Sequence, residues 1–295
     1  DPVTWAVDPW GGTISGGILR GRGAVDMKGG VAALVTAVAR HARTHPGSRG
    51  VLLLLTAAEE TGCEGSRHLV ATRPLPSGGP LLVAEPTGLA VAFGHKGALW
   101  LRAYAHGRSA HGSRPDLGQS AITPLALLVT ALEENGLPGE HADMGRVTVS
   151  VGTFRGGTQI NLVPDSAVAE IDIRTVAGVD SQSLRDQVAR LAGPRTDIET
   201  IRDLAPVYTS PDEPFSRDVA AALADVRTDS PRRKPLPYFT DAAVLTTSLQ
   251  SEAVVFLGPG DPDSAHTTDE GCPVADIEDA ARVYQRVLEI WAASA

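Results

Sequence analysis

Cysteine is scarce in this sequence: Cys63 and Cys272 are the only two among 295 residues. Two thiols so far apart supply no disulfide framework and no thiolate cluster, which excludes a small cross-linked secreted scaffold and fits a reducing compartment. Cys63 stands near Glu60, yet the motifs of a reactive cysteine are missing, so it reads as a small buried thiol. Long apolar runs are also missing. No stretch approaches the ~20 residues of a membrane helix and no leader peptide opens the chain, so the sequence reads as soluble and cytoplasmic, with no membrane partner. Basic residues are outnumbered, 26 Lys and Arg against 35 Asp and Glu for a net charge of −9, and Arg232-Arg233-Lys234 is the densest basic run. Nucleic acid is therefore not an expected partner. Internal repeats and low-complexity tracts are absent. There is no Gly-x-Ser-x-Gly elbow, although Ser109 and His111 are close in sequence, which argues against a serine hydrolase. Lys28 is followed by Gly29 where a phosphate loop needs Ser or Thr.

What is present is enough apolar material for a real core. With 42% hydrophobic residues over this length, one or two domains are expected. The first part alternates strand and helix patterns. Val51 to Leu55 reads as a buried strand of a parallel sheet, and so do Leu81 to Ala84 and Ala253 to Leu257. Val31 to Arg43 has helical spacing, closed by Pro46-Gly47-Ser48, and Gly65 to Thr72 reads as a second helix. From about Ala98 the character changes to alternating strands, Leu99 to Ala105, Arg146 to Phe154, Ala167 to Thr175 and Asp197 to Leu204, with helices over Ala121 to Glu134 and Ser183 to Leu191. That β-α-β-β-α-β order predicts a ferredoxin-like antiparallel unit. Helices over Phe215 to Val226 and Ile277 to Ala293 return to the α/β style, and Asp229 to Pro237 reads as an exposed loop. The expected fold class is α/β, a mostly parallel sheet with flanking helices over residues 1–97 and 207–295, carrying an inserted α+β dimerisation domain over 98–206.

The chemistry-bearing residues sit where apolar runs end. Glu59 and Glu60 follow the Val51–Leu55 run at the edge where parallel sheets build active sites. Adjacent side chains point in different directions, so one carboxylate can bind a cation while the other handles a proton. A solvated turn with acids in a helix's first turn would show the same pair. Three further segments have the same form: Leu81–Ala84 runs into Glu85, Ala253–Leu257 runs into Gly258-Pro259-Gly260 with His266 soon after, and Ile18–Gly23 leads to Asp26. Carboxylates with imidazole and no cysteine suit zinc, cobalt or manganese, and a shared carboxylate such as Asp26 can bridge two ions about 3.5–4 Å apart.

Taken in order, Gly21–Gly30, Glu59-Glu60, Glu85-Pro86-Thr87, Gly107–Pro115, Asn161–Asp165 and Gly258–Glu270 resemble the two-zinc aminoacylases and carboxypeptidases, a family that includes acetylornithine deacetylase, succinyl-diaminopimelate desuccinylase and glutamate carboxypeptidase. Gly258–Asp261 and Ala265–Glu270 are most similar to acetylornithine deacetylase. The resemblance implies amide hydrolysis of N-acyl amino acids or dipeptides by a homodimer. It implies that Asp26 bridges two metal ions, that Glu60 and His266 bind one and Glu85 the other, and that Glu59 is the general base. It further implies that His111 donates to the oxyanion, often across subunits, and that Asn161 and Arg174 hold the substrate carboxylate. Gly258 and Gly260 would let a backbone approach the substrate, although an ordinary turn uses the same residues.

One departure stands out. The family carries a His-x-Asp upstream of the segment that begins here, and His41 and His45 follow Asp26, so they cannot fill that role by order. The chain starts at Asp1, and its only methionines are Met27 and Met144. It therefore reads as a fragment of an active enzyme, or as a short form with one metal site lacking its imidazole. A non-catalytic binding or dimerisation module is the rival of another class, and metal analysis separates the two.

Overall fold

The computed structural model describes residues 4–229, 232–233 and 235–293. The chain divides into two compact units, one of residues 1–94, 208–235 and 244–295, the other of residues 95–207 and 236–243.

In the first unit, alanine-rich amphipathic segments become helices because their small faces pack closely on a sheet. The helices Gly29–Thr44, Pro214–Val226 and Val274–Ala293 share one core with that sheet. Ala33, Ala37, Val219, Leu223, Ala280 and Val283 meet Val255, Leu257, Leu89 and Phe93 there. The sheet is mixed. Val254–Phe256 lies parallel to Leu81–Val83, Arg232–Arg233 lies parallel to Val91–Ala92, and Phe256 meets Ala92 in an antiparallel bridge. The basic stretch expected as a loop thus includes a short strand at Arg232–Arg233, while Ser230, Pro231 and Lys234 lie outside the described residues. Tyr284, buried in this core, donates its hydroxyl to the Leu257 carbonyl at 2.6 Å, which satisfies the one polar atom that burial would otherwise penalise.

One close approach sets the position of the polar loops. At Gly30 a side chain would collide with the Ala84 carbonyl, so the start of the helix Gly29–Thr44 is pressed onto the end of the strand Leu81–Val83. A smaller antiparallel sheet joins Thr13–Ser15, Ile18–Arg20 and Gly271–Pro273, with Gly271 opposite Arg20.

Val51–Leu55 departs from expectation. It forms no strand, and Leu52 and Leu55 are 50% and 57% exposed. A buried parallel strand needs hydrogen-bonded neighbours, and this run has no ladder partner among the described residues, so Val51, Leu52 and Leu55 face solvent while Leu53 and Leu54 stay half-buried.

The second unit is a four-stranded antiparallel sheet with strands in the order Thr148–Gly156, Ser166–Thr175, Gly97–His106, Thr196–Leu204. The helices Ile122–Asn135 and Ser181–Ala192 complete the chain order β-α-β-β-α-β, apart from short two-residue strands. Strand alternation sends Leu99, Leu101, Ala103, Ile171 and Ile173 inward together with Leu125, Leu128, Leu184 and Val188 of the helices. The polar side carries ion pairs such as Arg102 with Glu170 at 2.8 Å. Exposed pairs of this kind contribute little to stability; the apolar side holds the unit together.

His95 is fully buried in this unit, and burial pushes its imidazole down to about 4. The folded pKa is depressed, so this contribution to stability is present above the ordinary histidine value of 6.5 and is lost as the pH falls through about 4. Denaturant unfolding at pH 7 and pH 4 is expected to show a His95-dependent loss of about 3 kcal/mol. His95→Asn should remove that part of the pH slope. An unchanged slope would show that His95 does not titrate across unfolding.

Candidate metal centre

Three side chains from distant parts of the sequence converge in the first unit. The Nε2 atom of His266 lies 3.0 Å from Asp26 Oδ2 and 2.9 Å from Glu60 Oε1. Ligand atoms of Asp26, Glu60 and His266 all fall within 4.8 Å of one another. One imidazole N–H can donate fully to only one of two carboxylates, so two anionic oxygens around one ring nitrogen are better balanced by a shared cation. Ligand atoms around a tetrahedral zinc lie about 3.3–3.5 Å apart, as follows from bond lengths near 2.0–2.2 Å. The spacing and the oxygen-oxygen-nitrogen donor set both fit a divalent ion of the zinc type.

Each ligand is presented by local geometry. Asp26 lies in an irregular turn, Ala24–Lys28, just before the helix Gly29–Thr44, and Gly23 enters it in a left-handed conformation at φ 80°. Glu60 belongs to a turn bonded to the start of the helix Glu64–Thr72. The Ala57 carbonyl accepts from Gly65 N, Ala58 from Glu64 N, and Glu59 from both Gly62 N and Cys63 N. The Glu59–Glu60 position is therefore held by that helix although the preceding run is no strand. Cys63 is buried and outside any disulfide, as its sequence setting leads one to expect. His266 sits in the loop after the strand Val254–Phe256, where Asp261 caps the short turn Pro262–Ser264 by accepting from Asp263 N. Burial pushes the Asp26 carboxyl above its usual range; the His266 imidazole opposes that shift, and the Glu270 charge adds to it.

The remaining site residues fall into separate groups. Glu59 is half-buried beside Glu60. Glu85 is buried at the end of Leu81–Val83 and stands outside the converging trio. Gly258 is explained by packing: a side chain there would collide with the carbonyls of Ala84 and Glu85, so the close backbone it admits is the chain's own. Gly260 adopts φ 84°, and a side chain would crowd Cys272 Sγ and Val25.

His111 and Asn161 belong to the second unit. Ala110–His111 pairs with Leu162–Val163, and Gly112 N donates to the Asn161 carbonyl at 2.7 Å, which brings the two residues together. His111 Nδ1 lies 2.8 Å from Ser113 Oγ and 3.2 Å from Ser113 N, and the tautomer in which Nδ1 accepts from Ser113 leaves the ring proton on Nε2. Arg174 lies at the far end of the strand Ser166–Thr175, about 25 Å along it at ~3.3 Å per residue. One copy of this unit does not bring Asn161 and Arg174 to a single carboxylate. The Arg174 guanidinium donates to Asp172 at 2.8 Å and lies over the Phe239 ring.

Sequence reasoning assigned no role to Glu270. It closes the segment Ala265–Glu270, but nothing in the pattern marks it as more than one of several acids. Its buried carboxylate contacts the Asp26 turn, 244 positions away.

Comparison with known proteins extends this picture. The profile described as Peptidase family M20/M25/M40 matches residues 1–290. A protein of Paracoccidioides lutzii described as a probable carboxypeptidase is 32% identical over 289 residues, covering 92% of this chain and 62% of its own length. The chain thus spans less than two thirds of that relative. Among solved structures, the M20 family metallo-carboxypeptidase Sso-CP2 of Sulfolobus solfataricus superposes with a TM-score of 0.79 at 19% identity, covering 99% of this chain and 82% of that one. The YXEP protein of Bacillus subtilis, described as a dinuclear metal binding peptidase, gives a TM-score of 0.70 at 14% identity, covering 92% and 74%. Identities this low show a shared fold.

Proposed function

This chain belongs to peptidase family M20/M25/M40, and on that premise we propose that it carries the catalytic centre of a metal-dependent hydrolase that cleaves an amide bond in N-acyl amino acids or short peptides. The observation that carries the reading is the convergence of Asp26, Glu60 and His266. Asp26, Glu60 and His266 would hold one ion, and Asp26 with the buried Glu85 would hold a second. The dinuclear description of the Bacillus subtilis protein supports a pair of ions. When bound, zinc or a similar ion polarises the amide carbonyl and supplies an acidified water near neutral pH.

The protein's own side chains do the rest. Glu59, next in sequence to a ligand yet outside the trio, takes the proton from the attacking water and delivers it to the leaving nitrogen. The Nε2 proton of His111, delivered by a second copy of the chain because His111 and Arg174 of one copy lie too far apart to share a small substrate, is assigned to the carbonyl oxygen as it becomes negative. Arg174 is assigned to a substrate carboxylate, for which its planar fork is suited once it exchanges Asp172 for substrate.

Two substrate classes share this chemistry. Similarity to the fungal probable carboxypeptidase favours peptides with a free C-terminus. The segments Gly258–Asp261 and Ala265–Glu270 favour an acetylornithine deacetylase type of substrate. The test is a panel of N-acetylornithine, N-succinyl-diaminopimelate and dipeptides, assayed after loading with zinc or cobalt and again after chelation. Hydrolysis of at least one class is expected, abolished by chelator and restored by metal. Hydrolysis that survives chelation would overturn the proposal, and so would no turnover of any member by fully metal-loaded protein.

A further inference from the structure

The proposed chemistry leaves one buried charge without a role. The Glu270 side chain is 1% exposed and lies just before the strand Gly271–Pro273. Its Oε1 accepts from Val25 N at 2.8 Å and from Asp26 N at 3.1 Å. Its Oε2 accepts from Gly23 N at 3.0 Å and from Arg22 Nη1 at 3.0 Å. The Glu270 backbone carbonyl accepts from Gly21 N at 3.0 Å as well. Every one of these donors lies between Gly21 and Asp26.

A buried carboxylate is costly to fold unless both oxygens are well paired, and here three amides and a guanidinium supply the pairing. The same bonds satisfy amides that a regular helix would not take here, since Gly23 is left-handed and Asp26 is non-helical at φ −115°, ψ 95°. The chain order adds the functional point: Glu270 is four residues after His266, and its carboxylate bonds the amide of Asp26 itself. One side chain thus ties the loop that presents the imidazole to the turn that presents the carboxylate.

We propose that Glu270 is a positioning residue for the cation site: its carboxylate templates the Arg22–Asp26 backbone so that Asp26 and His266 converge before any ion arrives. The inference rests on reading Asp26, Glu60 and His266 as that site. A ligand held in advance loses less freedom when the ion binds, and outer groups of this kind typically change metal affinity about 10–100-fold.

The experiment titrates cobalt(II) into the full chain and follows both the dissociation constant and the visible absorption band, which reports coordination geometry. Glu270→Gln keeps the size but turns an amide NH2 towards donors, and Glu270→Asp keeps the charge but withdraws it by one methylene. Both should retain the wild-type circular dichroism, bind cobalt about 10–100-fold more weakly and shift or weaken the band. Glu170→Gln, which removes a carboxylate paired with Arg102 in the other unit, should change neither readout. If Glu270→Gln does not fold, Glu270→Asp decides. Wild-type affinity and an unaltered band in a folded Glu270 variant would overturn the proposal. Asp26→Asn is the control for the underlying reading. If it binds cobalt like the wild type, the trio is not the cation site and the role of Glu270 falls with it; if it loses cobalt while the Glu270 variants do not, the Glu270 role alone is wrong.

Discussion

Glu59→Gln is expected to lower hydrolytic turnover by about 10²–10⁴-fold, the usual contribution of a general base, while the bound metal is retained. The expectation follows from the turn that carries both acids. Glu60 reaches the His266 imidazole at 2.9 Å. Its neighbour Glu59 is held by the same backbone bonds to Gly62 and Cys63 yet lies outside the trio of ligand atoms. Consecutive side chains in a turn diverge, so a residue beside a ligand can face the reacting atoms without competing for the ion. Glutamine preserves the shape and removes the ability to take a proton. The measurement is kcat alongside metal content. Loss of turnover together with loss of metal would make Glu59 a ligand, and near-normal turnover would end its assignment as the base.

Local signals were legible and long-range ones were not. The helices Gly29–Thr44 and Val274–Ala293 follow from an amphipathic repeat of small and apolar residues, a property of the segment itself. The strands Gly97–His106 and Ser166–Thr175 follow from alternation in the same way. Val51–Leu55 has the composition of a buried strand, but burial depends on neighbours that composition does not report, and Val51, Leu52 and Leu55 are exposed. At the site, Asp26, Glu60 and His266 could be singled out because each ends a strand-like run or precedes a helix with a ligand-grade side chain. That His266 meets Asp26 across 240 positions is tertiary information. Glu270 shows the limit most clearly, since three of its carboxylate's four partners are backbone amides, which every residue except proline has, so no residue type marks them. Gly258 shows the converse: its place before the His266 loop pointed to substrate, whereas its close neighbours are the Ala84 and Glu85 carbonyls.

Asp26→Asn is expected to weaken divalent-ion binding by more than the ~100-fold that marks the upper range for outer-sphere groups, because it removes charge from a direct ligand. The stronger form of this prediction compares three variants, each at a different place in the proposed pair of sites. Asp26 is assigned to both ions, Glu60 to the ion shared with His266, and Glu85 to the other. Wild-type protein should therefore take up two ions per chain. The ion served by three side chains should bind more tightly than the ion served by Asp26 and Glu85, since each added ligand contributes attraction without a new loss of translational freedom. Glu85→Gln should leave the tighter step within about threefold of wild type, as expected for a residue outside the trio, and abolish the weaker one. Glu60→Gln should weaken the tighter step, and only Asp26→Asn should impair both. Isothermal titration with zinc, checked by metal content after dialysis, reads all four proteins on one scale. If Asp26→Asn removes one ion and leaves the other at wild-type affinity, Asp26 serves a single ion and the bridging assignment is wrong.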